Sequence, residues 1–341
     1  ATDSRQVAGG TLFVPLIGEF QDGHKYIPQA AEKGASVVFI SMKNYEADSE
    51  YFVGIHRDFP DLVMIAVENT MTALQKAAGC YVEQFPDLIK IAVTGSSGKT
   101  TTKEILVSIM SQKYSVVCNK GNLNSETGLP LSVFEIRKEH QCGIFEMGMN
   151  RENEIGEISK VWKSQYGIIT NIGTAHIGIL GSQENIAKEK RKSFDYIPVT
   201  GAAVVGAKDS FADYCTENVK GKVVKFGADV ADSGVKFLED KGLFGSLFTV
   251  DGIEVSLGLS GEYNFLNATS VIACAKEIGI DVISIKKGLE NVAAISGRME
   301  TKQVELKNGA NIVLIQDCYN ANLDSMLKVI DFCDTLKNVG K

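Results

Sequence analysis

A chain of 341 residues is too long for one ordinary domain and suggests two or three. Its hydrophobic content of 44% supports proper cores, and its net charge of −7 argues against a nucleic-acid surface while allowing a local basic pocket for phosphates. No apolar run approaches the roughly 20 residues of a membrane helix, and no secretory leader pattern opens the chain, so a cytoplasmic location is expected.

Residues 1–80 alternate short apolar runs at 11–16, 36–40 and 63–67 with a helical stretch near 27–33, the pattern of a small α/β domain. Asp22-Gly23 reads there as a turn and His24 as a surface residue. A helix-like run over 72–82 then leads through Phe85-Pro86-Asp87 into a second domain, 81–297.

That domain opens on an apolar strand, 88–93, followed by Thr94-Gly95-Ser96-Ser97-Gly98-Lys99-Thr100-Thr101-Thr102 and a run with helical spacing. A strand, a glycine turn and a helix N-terminus make a phosphate cradle, because free backbone N–H groups and the positive helix end face the anion. Lys99 is placed to reach β- and γ-phosphates, and the Thr100 hydroxyl to hold Mg²⁺. Val93 stands where the usual P-loop has its first glycine, so the match is to a shorter variant; the bland alternative is a Gly/Ser loop with a chance Lys-Thr.

Further strands are expected at 143–147, 167–171 and 202–205, alternating with helices as in a mostly parallel sheet. Ligands of such sheets bind at the carboxyl ends of the strands, which singles out Glu146, Asn171 and, five residues on, His176. Over 235–259 the pattern becomes a β meander with a two-residue hairpin at Asp251-Gly252, and a helix rich in Ala, Ile and Val runs to 278. A last segment, 298–341, has a hairpin at Asn308-Gly309, a strand over 312–315 and a helix from about Asp324. It is too short for a domain and is expected to be the start of an incomplete one; likewise the chain opens at Ala1 without methionine, so residues are expected to precede it. Seven scattered cysteines (80, 118, 142, 215, 274, 318 and 333), never in C-x-x-C spacing, read as reduced thiols rather than disulfides or zinc ligands.

Taken together, the P-loop variant with its third threonine, Glu146-Met147-Gly148, His176, Gly297-Arg298 and Asp317-Cys318-Tyr319-Asn320-Ala321-Asn322 resemble the Mur ligase family. So do Thr2–Arg5, Asp22–His24 and the stretch from Asn119 to Pro130, so that the resemblance covers nearly the whole chain. It is strongest to the branch that adds D-Ala-D-Ala to a UDP-N-acetylmuramoyl-tripeptide. The fold this implies is α/β: a uridine-binding N-terminal domain, a central ATPase domain and a truncated Rossmann-like C-terminal domain. The activity it implies is ATP-dependent amide ligation: ATP phosphorylates the tripeptide carboxylate, and the dipeptide amine displaces phosphate, as a step of peptidoglycan precursor synthesis.

The resemblance also implies site residues. Gly95, Ser96, Ser97, Gly98, Lys99, Thr100 and Thr101 would hold the ATP phosphates, with Asn171, Asn267, Arg298 and Asp317 around the rest of the nucleotide. Two Mg²⁺ sites would draw on Thr100, Glu146, His176 and Lys190, the last as a carbamate, and Lys99, Lys190, Glu146 and His176 would carry catalysis. Ser4, Arg5, Asn122, Asn124 and Asn150 would meet the UDP-sugar peptide, and Tyr319, Asn320 and Asn322 the D-Ala-D-Ala side. On its own residues, Lys190 sits in a basic run with Lys188, Arg191 and Lys192 that is as readily a solvated helix face, and a lone histidine is more often structural. The chain departs from the family pattern at Tyr263, Ser125, Leu323 and over 206–209, none of them a proposed metal or phosphate ligand. A monomer is expected. The alternatives are another ligase of the folylpolyglutamate type, or a nucleotide-binding protein without ligase activity.

Overall fold

Apolar strands alternating with helices build two units, residues 1–84 and 85–341. The computed structural model describes residues 1–228, 230 and 233–336, so the end of the segment expected over 298–341 lies outside the described residues.

In the first unit, β1 (Thr11–Phe13), α1 (Ile27–Glu32), β2 (Ala35–Ser41), α2 (Met42–Ala47), α3 (Ser49–Asp58), β3 (Val63–Val67) and α4 (Thr70–Val82) follow in order. The strands form a parallel sheet, β1-β2-β3, over a core of Phe13, Ile27, Val38, Ile40, Phe52 and Ile55. β1 stops at Phe13, short of the expected residue 16. Val14 instead gives its N–H to Ala1, and Pro15 has none to give. His24, expected at the surface, is 3% exposed. Its Nδ1 lies 2.6 Å from Asp22, and its Nε2 accepts the Ser41 N–H at 2.9 Å. The acceptor role of Nε2 puts the ring proton on Nδ1, facing a carboxylate that Asn44 also binds. A turn whose aspartate caps residues 23–26 therefore buries the ring that follows it.

The second unit runs β4 (Ile89–Thr94), α5 (Lys99–Met110), β5 (Val116–Cys118), α6 (Gly128–Val133), β6 (Cys142–Glu146), α7 (Glu154–Trp162), β7 (Tyr166–Ile169), α8 (Ile177–Leu180), α9 (Gln183–Arg191), β8 (Ala202–Gly206), α10 (Ala212–Thr216) and β9 (Lys222–Phe226). There follow β10 (Val235–Asp240), β11 (Ser246–Val250), β12 (Ile253–Leu257), α11 (Glu262–Ile278), α12 (Val282–Glu290), β13 (Glu300–Glu305), β14 (Asn311–Gln316) and α13 (Leu323–Thr335). Six strands form a parallel sheet in the order β5-β6-β4-β7-β8-β9. Because the chain leaves β4 to one side for β5 and β6 and to the other for β7, a crevice opens at the carboxyl end of β4.

Helices cover both faces, which is why these strands read as continuous apolar runs. On one face α5, α11 and α12 share a core with the antiparallel meander β10-β11-β12. α11 is sandwiched there and buried nearly all round, matching its Ala-, Ile- and Val-rich sequence. On the other face Trp162 is fully buried against Phe145, ring centroids 4.3 Å apart, and donates its indole N–H to the Ile91 carbonyl at 3.1 Å. β7 ends at Ile169 rather than 171 because the next two residues turn their hydrogen bonds to the glycine loop after β4.

Candidate active site

The loop from Gly95 to Gly98 is shaped by its neighbours. A Cβ on Gly95 (φ +149°) would stand 1.8 Å from the Thr170 hydroxyl, and one on Gly98 (φ +79°) 2.5 Å from Asn267, so only glycine fits either position. Asn171 braces the turn: its carbonyl accepts the Ser96 N–H at 2.9 Å, its Oδ1 the Ser97 N–H at 3.2 Å, and its Nδ2 donates to the Ser97 carbonyl at 3.1 Å. α5 begins at Lys99 with no side chain capping its first turn, so those N–H groups face the cleft.

This crevice is a cleft of about 590 Å³. It is lined by residues 96–101, Asn122, Asn124, Glu146, Asn150, Asn171, His176 and Asn267, and by Arg298, Asp317, Tyr319, Asn320 and Asn322 of the last segment. Most of the residues singled out from sequence thus converge here. Ser4 and Arg5 belong to the first unit, where Ser4 is buried and donates to Gln29 at 2.6 Å and Arg5 pairs with Asp3 at 2.7 Å.

Glu146, 3% exposed at the end of β6, accepts the Thr100 hydroxyl at 2.7 Å on one oxygen and the Asn124 amide at 2.7 Å on the other. The Arg298 guanidinium donates to the same Thr100 hydroxyl at 2.9 Å and lies 4.4 Å over the Tyr319 ring. Asp317 accepts the Met299 N–H at 3.1 Å, while Asn322 spends its side chain capping α13. Lys190 is no solvated helix residue: it is 1% exposed and donates to the Gly95 carbonyl at 2.8 Å, the atom that Lys99 also reaches at 3.0 Å.

Burial pushes the Lys190 amine well below its ordinary value, and the nearby Lys99 charge pushes it further. Lys99 is lowered by desolvation, with Glu146 opposing the shift. His176 is lowered by desolvation and then by both lysines. Three basic groups held below their ordinary pKa values thus surround one carboxylate out of water, an arrangement that an anion relieves. A triphosphate fits on those grounds, and the cradle that a Cβ would fill fits its backbone approach. The Tyr263 hydroxyl, buried in the same cleft without a hydrogen-bond partner among the described residues, leaves a further group for a ligand to satisfy. The oxygens of Thr100 and Glu146 are the hard donors that Mg²⁺ takes. His176 (φ +69°) faces the cleft from the turn before α8, and no group of three or more His, Cys, Asp or Glu side chains placed to hold a metal ion occurs among the described residues.

Met299, Ser325, Lys328 and Val329 also line the cleft and carry no motif that sequence reading could use. Glu154 and Glu189, each 2% exposed, were missed as well. Glu154 accepts the Glu126 and Asn150 N–H groups, and Glu189 those of Asn153 and Ile155 at the start of α7. Their signal was faint, since charged residues in polar stretches usually face solvent.

The profile described as the Mur ligase middle domain matches residues 93–275, and that of the Mur ligase family catalytic domain matches residues 1–82. The UDP-N-acetylmuramoyl-tripeptide–D-alanyl-D-alanine ligase of Treponema pallidum is 39% identical over 343 residues, 99% of this chain and 72% of the relative. A crystal structure of MurF from Acinetobacter baumannii superposes with a TM-score of 0.85 at 32% identity, over 99% of this chain and 71% of that one. MurF ligase from Thermotoga maritima in complex with ADP gives 0.80 at 25% identity, over 97% and 73%. Matched over 99% of its length by such a relative, and over residues 93–275 by the middle-domain profile, this chain belongs to the Mur ligase family.

Proposed function

We infer that the protein is an ATP-dependent, ADP-forming ligase that joins D-Ala-D-Ala to UDP-N-acetylmuramoyl-tripeptide in peptidoglycan precursor synthesis. What carries this is the identity of 39%, along nearly the whole chain, to a relative named for that reaction. The match over residues 1–82 speaks for it over the folylpolyglutamate-type alternative, because a Mur-type N-terminal domain is present.

The chemistry needs phosphate positioning and charge neutralisation more than covalent work by the protein. Backbone N–H groups of residues 98–100 cradle the phosphates, and Lys99 turns from its loop carbonyls to the β/γ oxygens. Thr100 and Glu146 would hold the first Mg²⁺, with Asn124 fixing the second carboxylate oxygen. When bound, Mg²⁺ neutralises the charge of the triphosphate and of the phosphoryl group in transfer. His176, whose pKa is lowered by desolvation and then by the two lysines, would offer a ring nitrogen to a second ion. Lys190, whose pKa burial lowers, would offer its amine to CO₂, adding it with loss of a proton to give a carbamate oxygen ligand. Arg298 follows the phosphates, while Asn267 and Asp317 flank the nucleotide. Asn122 and Asn150 line the peptide side with Asn124, and Ser4 and Arg5 serve the uridine end. Tyr319, Asn320 and Asn322 come from the segment that receives D-Ala-D-Ala, and its closure shields the acyl phosphate from water. A monomer working in the cytoplasm, where ATP is at hand, is the state proposed. No described helix is long and apolar enough to cross a membrane.

The direct test measures phosphate release with UDP-muramoyl-tripeptide and D-Ala-D-Ala together and singly, beside folate with glutamate, and weighs the product. Release that needs both muramoyl tripeptide and dipeptide, with the ligated pentapeptide formed, is expected. Turnover on folate, or none on either pair, overturns the reading.

A further inference from the structure

We propose that Asn119 is a positioning residue for the Glu146 carboxylate, with Lys103 behind it; this rests on the reading of Glu146 as a metal-holding group. β5 pairs with β6 in parallel as far as Cys118 opposite Ile144, and Asn119 comes one residue later. There the side chain takes over from the main chain. Asn119 Oδ1 accepts the Glu146 N–H at 2.9 Å, and its Nδ2 donates to the Glu146 carbonyl at 2.9 Å. The carboxamide thus grips both backbone groups of the residue whose side chain faces Thr100.

Its Nδ2 also donates to the Leu123 carbonyl at 2.9 Å, so both amide donors and the acceptor are used. Leu123 precedes Asn124, which orients the other Glu146 oxygen at 2.7 Å. One carboxamide therefore sets the carboxylate and the donor that aims it against each other. Asn119 is itself held, because its carbonyl accepts the Lys103 ammonium at 2.8 Å. Lys103 lies on α5 one turn after Thr100, pairs with Glu104 at 2.9 Å and is 2% exposed. The helix that carries the Thr100 hydroxyl is in this way tied to the strand end that carries its carboxylate partner. Asn119 is 1% exposed and does not line the cleft, so its effect on the reaction passes through Glu146. Partners of this kind fix the orientation of metal-binding groups, and their loss typically costs about 10–100-fold in metal affinity.

The test measures Mn²⁺ affinity in the presence of ADP, ADP affinity without metal, and cooperative unfolding, for the wild type, Asn119→Leu, Asn119→Thr and Glu146→Gln. Asn119→Leu keeps the bulk and loses all three hydrogen bonds. We expect its Mn²⁺ affinity to fall about 10–100-fold, with metal-free ADP affinity within about twofold of wild type and a smaller loss for Asn119→Thr. A merely structural residue would leave the metal term unmoved in the folded protein. Should Asn119→Leu fail to fold, Asn119→Thr and hydrogen exchange of the wild type decide: the Glu146 amide must be protected as well as that of Ile144. Unchanged Mn²⁺ affinity in a folded Asn119 variant, with Glu146→Gln defective, overturns the inference alone, as does an unprotected Glu146 amide. Unchanged affinity in Glu146→Gln overturns the reading of Glu146 and the inference with it.

Discussion

The two walls of the cleft are built differently. The wall from the parallel sheet presents Glu146, 3% exposed, while Lys190 of α9, 1% exposed, is held on the Gly95 carbonyl, each fixed by hydrogen bonds to buried backbone or side chains. The wall from residues 298–336 presents Tyr319, 54% exposed, and reaches the sheet through side chains. Arg298 donates to Thr100 at 2.9 Å, and Asp324 accepts the Thr174 N–H at 2.8 Å and its hydroxyl at 2.9 Å. Charge that must be placed before the reaction sits on the over-determined wall, where its cost was met during folding.

Breaking the rigid wall has the largest expected effect. Lys190→Ala should abolish turnover, with partial recovery on adding short carboxylates such as acetate; wild-type-like activity would refute the assignment of Lys190. Lys99→Ala should lower the rate of phosphate release on the order of 10²–10³-fold and weaken ATP binding; a change confined to the dipeptide KM would count against the cradle. Trp162→Ala, which empties the face beneath β4 and β6, should cost about 3–5 kcal/mol in denaturant unfolding; a loss under about 1 kcal/mol would mean the core refills.

The second wall should respond more gently. Asp324→Ala removes a charge-assisted pair worth about 1.5–3 kcal/mol. It should raise the dipeptide KM about tenfold and leave ADP binding unchanged, whereas an equal loss in ADP affinity would show the two walls to be one rigid body. The smallest effect concerns pH. The folded protein holds the Lys190 pKa well below its ordinary value, so the unfolded chain binds that proton more tightly. Stability should therefore rise as pH climbs from the depressed value toward the ordinary one, about 10.4. In Lys190→Met that rise should flatten, as read from denaturant midpoints; an unaltered slope would mean the amine is not desolvated in solution.

The walls also differ in how far they could be read from residues alone. The cradle was legible because Gly95, Gly98, Lys99 and Thr100 follow a buried strand and open a helix, a local pattern with one physical solution. Glu146 and Asn171 were legible because strand ends in such sheets face ligands. Residues beyond local reach were not: Asn119 grips Glu146 from 27 positions away, and Asp324 meets Thr174 across 150. His24 was misread for a similar reason, since Ser41, which closes its pocket, comes 17 residues later.

The sequence by itself determined the parallel architecture and the phosphate loop, because strand pattern, glycine spacing and helix start are short-range steric and hydrogen-bonding matters. Only the tertiary structure decided which lysine of the 188–192 run is buried and which polar residues hold others rather than face a ligand. Burial and pairing depend on which distant groups desolvate a side chain and which return its hydrogen bonds, and the fold alone sets those distances.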